Sequence, residues 1–400
     1  DPLTFNAGLH LLPRDDVATR PSYELTTLPH FVLKGPRALN RGLSRRRYHT
    51  PYTYFGSTRG GLAMATVSAC TAFGAVCGSS PATAATMATV GIPEMKRFNY
   101  SNELAAGSVA SGGGLGMIMP PSVVLIVYGI LTEQSIGALF VSGILPAFLM
   151  TILFIISIYI TCRINPEKGP KGESFTWKQK IKSLAGLFDT VLIFVVVMTG
   201  LFAGFFTPTE SAAVGVLAVL LVSIIRRQLS WKAFVKSLHE TLQTSCMILF
   251  LIAGAMVFGK FLAVTRIPFD LATWISGFNL PPFLIISIII LIYFLGGCFM
   301  DSLGLIMLTI PIFFPIVTNL GYDPIWFGVI IVLVTEMGVI TPPVGLNVYV
   351  VYGVAKNVME DITLESIFKG IVPFLIAVIV GIIILMIFPQ IVLFLPHLLY

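Results

Sequence analysis

The sequence predicts an all-α polytopic membrane protein made of two related halves, an inverted-topology repeat with two re-entrant helical hairpins and two broken helices. Three observations carry that expectation. The chain is 56% hydrophobic and 11% charged, with a mean hydropathy of +0.90, far more apolar than a soluble domain of 400 residues. Residues 112–122, Gly-Gly-Gly-Leu-Gly-Met-Ile-Met-Pro-Pro-Ser, interrupt an apolar run with nearly everything that breaks a helix. The interruption also occurs twice: Gly-Met-Ile-Met-Pro-Pro at 116–121 returns as Gly-Val-Ile-Thr-Pro-Pro at 338–343, an offset of 338 − 116 = 222.

The same offset relates Gly74 to Gly296, Ser80 to Ser302, Pro93 to Pro315 and Tyr100 to Tyr322. Past the prolines the register slips by five residues, and Gly-Ile-Leu-Pro at 143–146 matches Gly-Ile-Val-Pro at 370–373. Interrupted segments at corresponding places in two halves point to a secondary transporter with its binding site near the bilayer midplane.

Composition excludes other classes. The net charge of +6 comes from Lys and Arg in short loops between apolar runs, where membrane orientation explains them and nucleic-acid binding does not. Cys70, Cys77, Cys162, Cys246 and Cys298 form no Cys-x-x-Cys pair and read as small buried hydrophobes. An intramembrane hydrolase needs a Ser-His dyad or two facing aspartates, and all five histidines, His10, His30, His49, His239 and His397, lie outside the duplicated core.

Taken in order, residues 1–56 form an atypical or degraded segment, with Arg45, Arg46 and Arg47 in a run and no uninterrupted apolar stretch long enough to span. No signal-peptide pattern opens it. Residues 57–135 hold the first repeat. Its apolar arms, 61–77 and up to Pro93, each reach about 18 to 25 Å as helix, short of a bilayer core of about 30 Å, so they are expected to form a re-entrant hairpin around Gly78-Ser79-Ser80-Pro81-Ala82-Thr83. Arg59 before it and Lys96 with Arg97 after it put both ends in the cytoplasm.

The broken helix 102–132 crosses outward, unwinding near Gly113, Gly116 and Met119. Residues 136–280 supply further spans and linkers. Residues 136–162 return to a basic loop holding Arg163, Lys168, Lys171, Lys178, Lys180 and Lys182; 187–206 and 212–225 follow, with Thr209 as N-cap and Glu210 as first-turn acid. An interfacial helix over 231–242 precedes a span over 246–264. Residues 281–356 hold the second repeat, a hairpin to Pro315 with its tip at 296–302 and a broken helix over 325–355. Residues 357–400 hold a linker and a final span over 371–394. Counted this way, the second hairpin opens to the opposite face from the first.

Hydroxyls at the first tip (Ser79, Ser80, Thr83) are expected to face carbonyls of the first break, and Asp301 and Ser302 to face Gly338, Thr341, Pro342, Gly345 and Asn347. Hard cations prefer such oxygen ligands, and the helix N-termini at the tips suit an anion. Asp301 reads either as a cation ligand or as a cap for the helix starting at Ser302; Glu336 reads as a pathway residue or as a group settled against a neighbouring hydroxyl. The plain alternative for any single Ser, Thr or Gly here is close helix packing.

Gly-Ser-Ser-Pro-Ala-Thr at 78–83, Met-Ile-Met-Pro-Pro-Ser at 117–122, Phe-Thr-Pro-Thr-Glu-Ser-Ala-Ala at 206–213 and Gly-Val-Ile-Thr-Pro-Pro-Val-Gly-Leu-Asn at 338–347 together resemble the large membrane subunit of tripartite ATP-independent periplasmic (TRAP) transporters. The resemblance covers roughly residues 57–400. It departs at residues 23–42, where His30, Lys34, Pro36 and Arg37 occupy positions expected to be apolar.

The resemblance implies an elevator-type transporter of the bacterial inner membrane, driven by Na+ as coupling ion and without other cofactor, that takes up a small organic acid. It implies two partners, a small four-helix membrane subunit and a periplasmic substrate-binding protein, besides membrane lipid. Its sodium-site candidates are Ser79, Ser80, Gly116 and Pro120 in one half and Ser302, Gly338, Thr341 and Pro342 in the other; Thr83, Gly113, Asp301, Gly345 and Asn347 are the candidates for substrate. The nearest alternative is a two-component dicarboxylate or citrate symporter of similar architecture without a capture protein.

Overall fold

A computed structural model describes residues 50–399, apart from 173, 187, 226–229, 268–269, 271–280 and 360, together with Pro29. The expectations for residues 1–49 and for the chain around Asn279 lie outside the described residues.

The first repeat folds as α1 (Gly61–Cys77), α2 (Ser80–Arg97), α3 (Asn102–Ile118) and α4 (Val123–Thr132). Local chemistry sets each boundary. Gly78 ends α1 in the left-handed region at φ 65°, where its N–H reaches Gly74 O, and Pro81 sits in the first turn of α2, where a missing N–H is harmless. Ser101 caps α3 by accepting from Leu104 N at 3.2 Å, and Ser122 caps α4 by accepting from Leu125 N at 3.3 Å.

The second repeat folds as α10 (Pro282–Gly297), α11 (Ser302–Asn319), α12 (Pro324–Ile340) and α13 (Leu346–Ala355). The start of α11 lies 302 − 80 = 222 residues after that of α2, and α12 follows α3 by 324 − 102 = 222. Asp301 and Asp323 are the caps here, each accepting from two backbone N–H groups. The remaining helices are α5 (Ile136–Ile164), α6 (Trp177–Ser183), α7 (Phe188–Phe202), α8 (Pro208–Ile225), α9 (Trp231–Thr265), α14 (Leu364–Ile387) and α15 (Gln390–Leu399). Six helical segments among the described residues are long and apolar enough to cross a membrane.

Helices α3 and α12 form the centre, and every residue of α3 from Leu104 and of α12 from Trp326 is buried. α3 lies against α1, α2 and α14; α12 lies against α10, α11, α14 and α5. Small residues make this closeness possible: a Cβ at Gly107 would meet the Gly370 backbone at 2.5 Å, so α3 and α14 touch main chain to main chain. α7, α8 and α9 are peripheral and expose Phe188, Leu217, Leu221 and Phe250, apolar faces suited to lipid.

At the basic end, Lys168 pairs with Glu103 at 2.7 Å. Tyr100 donates to Pro170 O at 2.9 Å and accepts from Leu62 N at 3.2 Å; burial pushes its phenol above its ordinary range, so it stays neutral in both roles.

Several expectations are corrected. α3 continues through Gly112, Gly113, Gly114 and Gly116 to Ile118, so the first break is confined to 119–122. Both hairpins run past the prolines expected to end them: α2 continues past Pro93 to Arg97, and α11 past Pro315 to Asn319. The interfacial helix and span expected at 231–242 and 246–264 are one helix of 35 residues, because Lys236, His239 and Glu240 are accommodated on its surface without a break. The last span begins at Leu364 and stops at Ile387, two residues before Pro389. The cap of α8 is Thr207, not Thr209: Glu210 Oε2 accepts from Thr207 N at 2.8 Å and Thr207 Oγ1 accepts from Glu210 N at 3.3 Å, a reciprocal capping box. Cys246 is exposed, unlike the other four cysteines.

Candidate functional site

The two hairpin tips open on one cavity of about 610 Å³. Ser79 and Ser80 line it from the first tip, Asp301 and Ser302 from the second, and Met117, Val123, Val339 and Leu346 from beside the two breaks. The N-termini of α2 and α11 therefore present partial positive charge to the same space. Thr83, Gly113, Gly116, Pro120, Gly338, Thr341, Pro342, Gly345 and Asn347 are not among the residues that line it.

Each tip is tied to the break of its own half by one backbone hydrogen bond, Val123 N to Gly78 O at 3.4 Å and Val344 N to Cys298 O at 3.3 Å. Both breaks carry a proline pair with a cis bond, Pro120–Pro121 and Pro342–Pro343. At the second break Thr341 N donates to Gly338 O at 2.9 Å and Thr341 Oγ1 to Met337 O at 2.6 Å, so that end of α12 is closed by its own chain.

The glycines of α3 act through packing. Gly116 lies against Thr83, whose Oγ1 donates to Ser79 O at 2.8 Å, and Gly113 lies against Ala84. Helical hydrogen bonds run as far as Met119 N to Leu115 O, so Gly113 and Gly116 stay within α3, while Pro120 and Pro121, which lack an N–H, leave Gly116 O and Met117 O without an i+4 donor. Gly345 takes a left-handed φ of 61° to start α13.

Asn347 departs most from expectation. Read as facing the second tip, it crosses to the first: its Nδ2 donates to Ser80 Oγ at 2.6 Å and to Ala110 O at 3.2 Å. Asp301 caps α11, its Oδ2 accepting from Leu303 N at 3.1 Å and Gly304 N at 3.2 Å, while Ser302 Oγ is buried without a hydrogen-bond partner.

Sequence reasoning missed the opposite wall, made by Glu240, Thr244, Met247 and Ile248 of α9. Splitting 231–265 into two helices hid their common face. The spacing of 240, 244, 247 and 248 is that of one helical stripe, the signal that would have found them.

With this geometry in hand, comparison with known proteins gives a direct answer. The family model for the tripartite ATP-independent periplasmic transporter, DctM component, matches residues 8–391. The chain belongs to that family. It is 35% identical over 380 residues to the C4-dicarboxylate TRAP transporter large permease protein DctM of Pseudomonas aeruginosa, covering 95% of this chain and 87% of the relative. It is 30% identical over 401 residues to the sialic acid TRAP transporter large permease protein SiaM of Vibrio cholerae, covering 99% and 91%. The solved YdaH transporter of Alcanivorax borkumensis shares the fold, with a TM-score of 0.70 at 13% identity over 97% of this chain and 90% of that one.

The DctM-family chain is thus a multi-pass inner-membrane transporter permease and not an enzyme, in line with the expectation from its motifs. The family match also reaches back into the segment 1–56 that the sequence sets apart.

Proposed function

We propose that this permease carries out sodium-coupled secondary uptake of a small organic acid anion, received from a periplasmic substrate-binding protein. A small four-helix membrane subunit completes the assembly. One observation carries the reading: hydroxyls and helix N-termini from both repeats converge on a single cavity beside both helix breaks. Oxygen ligands at Ser79, Ser80, Gly116 and Pro120, and at Ser302, Gly338, Thr341 and Pro342, suit sodium; the paired positive helix ends suit the carboxylate of a substrate near Thr83, Gly113, Asp301, Gly345 and Asn347.

In this reading the repeats are inverted, and 57–135 with 281–356 form a transport domain that moves as an elevator against a scaffold drawn from 136–280. Within that scaffold α9 supplies the fixed wall through Glu240 and Thr244. Residues 357–400 connect and brace the moving part. Relatives named for C4-dicarboxylates and for sialic acid support an organic acid as cargo. A relative named as an isethionate TRAP permease DctMQ, of which the chain covers 54%, supports a partnered membrane subunit.

The test is uptake into proteoliposomes reconstituted with both partners. Replacing external sodium by potassium should collapse uptake, and each net charge carried inward should gain about 2.3 kcal/mol per 100 mV of membrane potential. Uptake sustained by a proton gradient alone would remove sodium coupling from the reading.

A further inference from the structure

Glu336 lies within α12 at 1% exposure, and neither carboxylate oxygen has a hydrogen-bond partner. Among the described residues no ion pair includes it. Directly opposite, on α3, is Gly114, and a Cβ there would fall on the Glu336 carboxylate itself. The two positions are equivalents in the repeat, 336 − 114 = 222, so the halves meet face to face at this point, with a carboxylate from one and only a glycine from the other.

Two further buried oxygens along the same stretch of α3 lack partners. Ser111 Oγ, one turn before Gly114, is one; Asn347 Oδ1, whose amide nitrogen donates to Ala110 O, is the other. Buried polar groups in a native interior are normally paired, and an unpaired buried carboxylate is the most unfavourable of them. A proton on Glu336 would supply at most one hydrogen bond. A small hard cation satisfies carboxylate, hydroxyl and amide oxygens together.

We propose that Glu336 and Ser111, with Asn347 Oδ1, form a further sodium site at the contact of the two central helices, apart from the sites at the hairpin tips. The site deepens the sodium-driven reading and rests on it. It also gives that reading a link between halves, because Asn347 holds Ser80 of the first tip through the other end of its amide.

The experiment is equilibrium binding of radioactive sodium to the purified full chain in nanodiscs, with infrared difference spectra on sodium addition. E336Q should bind one sodium fewer per chain than wild type, and S111A should raise the Kd of that sodium by about tenfold. In wild type, sodium should shift a carboxylate stretching band that E336Q lacks. Equal stoichiometry in E336Q and wild type, or a wild-type spectrum with no carboxylate change, overturns the site. Should E336Q not fold, the S111A titration and the wild-type spectrum decide. A wild type that binds no sodium fells both this site and the sodium reading; a wild type that binds sodium without involving Glu336 fells only the site.

Discussion

The two repeats have helices in the same register, yet their tips and breaks are built differently. At the first tip two residues, Gly78 and Ser79, separate the helices, and Ser79 makes no side-chain cap. At the second, four residues separate them and Asp301 caps with its carboxylate. The first break, 119–122, is wholly buried, whereas Pro342, Pro343 and Val344 of the second are exposed. Packing differs at the two: Gly143 of α5 sits against Ile118 O just before the first break, while Asn347, just after the second, bonds Ser80 of the first tip. The halves share a plan, and tertiary contacts assign one the enclosed role and the other the open one.

The largest effect expected from breaking this comparison is at the glycines where tip meets break. A Cβ at Gly338 would meet the Gly297 backbone at 2.5 Å, whereas one at Gly116 would meet the Thr83 side chain, at 2.5 Å from its Oγ1. Backbone cannot rotate away, so Gly338→Ala should destabilise by about 1 to 3 kcal/mol, the range for overpacking, and Gly116→Ala by less. Thermal unfolding of the purified chain in detergent reads the difference; equal losses would mean that the two tips are equally deformable.

Next in size is the amide that joins the halves. Asn347→Ala removes the bonds to Ser80 and to Ala110 O and should cost about 1 to 3 kcal/mol, since the buried Ser80 hydroxyl loses its donor while Ala110 O keeps its place in the α3 ladder. In a double-mutant cycle with Ser80→Ala the coupling should be about 0.5 to 3 kcal/mol. Additive losses would show that the halves are not joined here. Thr341→Ala, whose hydroxyl bonds only its own helix at Met337 O, should show no such coupling to Ser80→Ala.

Smaller still is the difference in caps. Asp301→Ala should lose about 0.5 to 2 kcal/mol, as N-cap replacements do, while Ser79→Ala should be near neutral for stability because no cap bond is present to lose. Comparable losses at both would indicate that Ser79 caps α2 in the membrane.

How far these features could be read from sequence follows from their range along the chain. Hairpin starts, both breaks and the 222-residue register were legible because Gly78, Pro81, Pro120, Pro121, Pro342 and Pro343 act on their own backbone. The glycine run 112–116 misled for a physical reason. In an apolar interior an unpaired carbonyl costs several kcal/mol and a helical glycine only about 1, so α3 stays wound and the glycines serve packing. At the site, Ser79, Ser80, Asp301 and Ser302 were placed on the cavity by the repeat, but its α9 wall depended on reading 231–265 as one helix. Asn347 with Ser80, and Gly114 with Glu336, are contacts over more than 200 residues that no local pattern encodes.

The least perturbing experiment addresses whether the shared plan is inverted across the membrane. Arg59 precedes the first hairpin and Lys96 with Arg97 closes it, whereas the chain around Asn319 and Tyr322 carries no basic residue, a contrast from which opposite faces are expected for the two hairpins. Asn99 and Asn319 are both exposed at the ends of α2 and α11, so a cysteine at either disturbs no packed contact; at Asn99, whose φ of 56° is left-handed, it costs about 1 to 2 kcal/mol of backbone strain. In a background lacking the five native cysteines, Asn319→Cys should react with an impermeant thiol reagent added from outside, and Asn99→Cys should react only once the membrane is opened. Labelling of both from one side would make the repeat parallel, and the convergence of both tips on one cavity would then need an explanation other than an inverted pair.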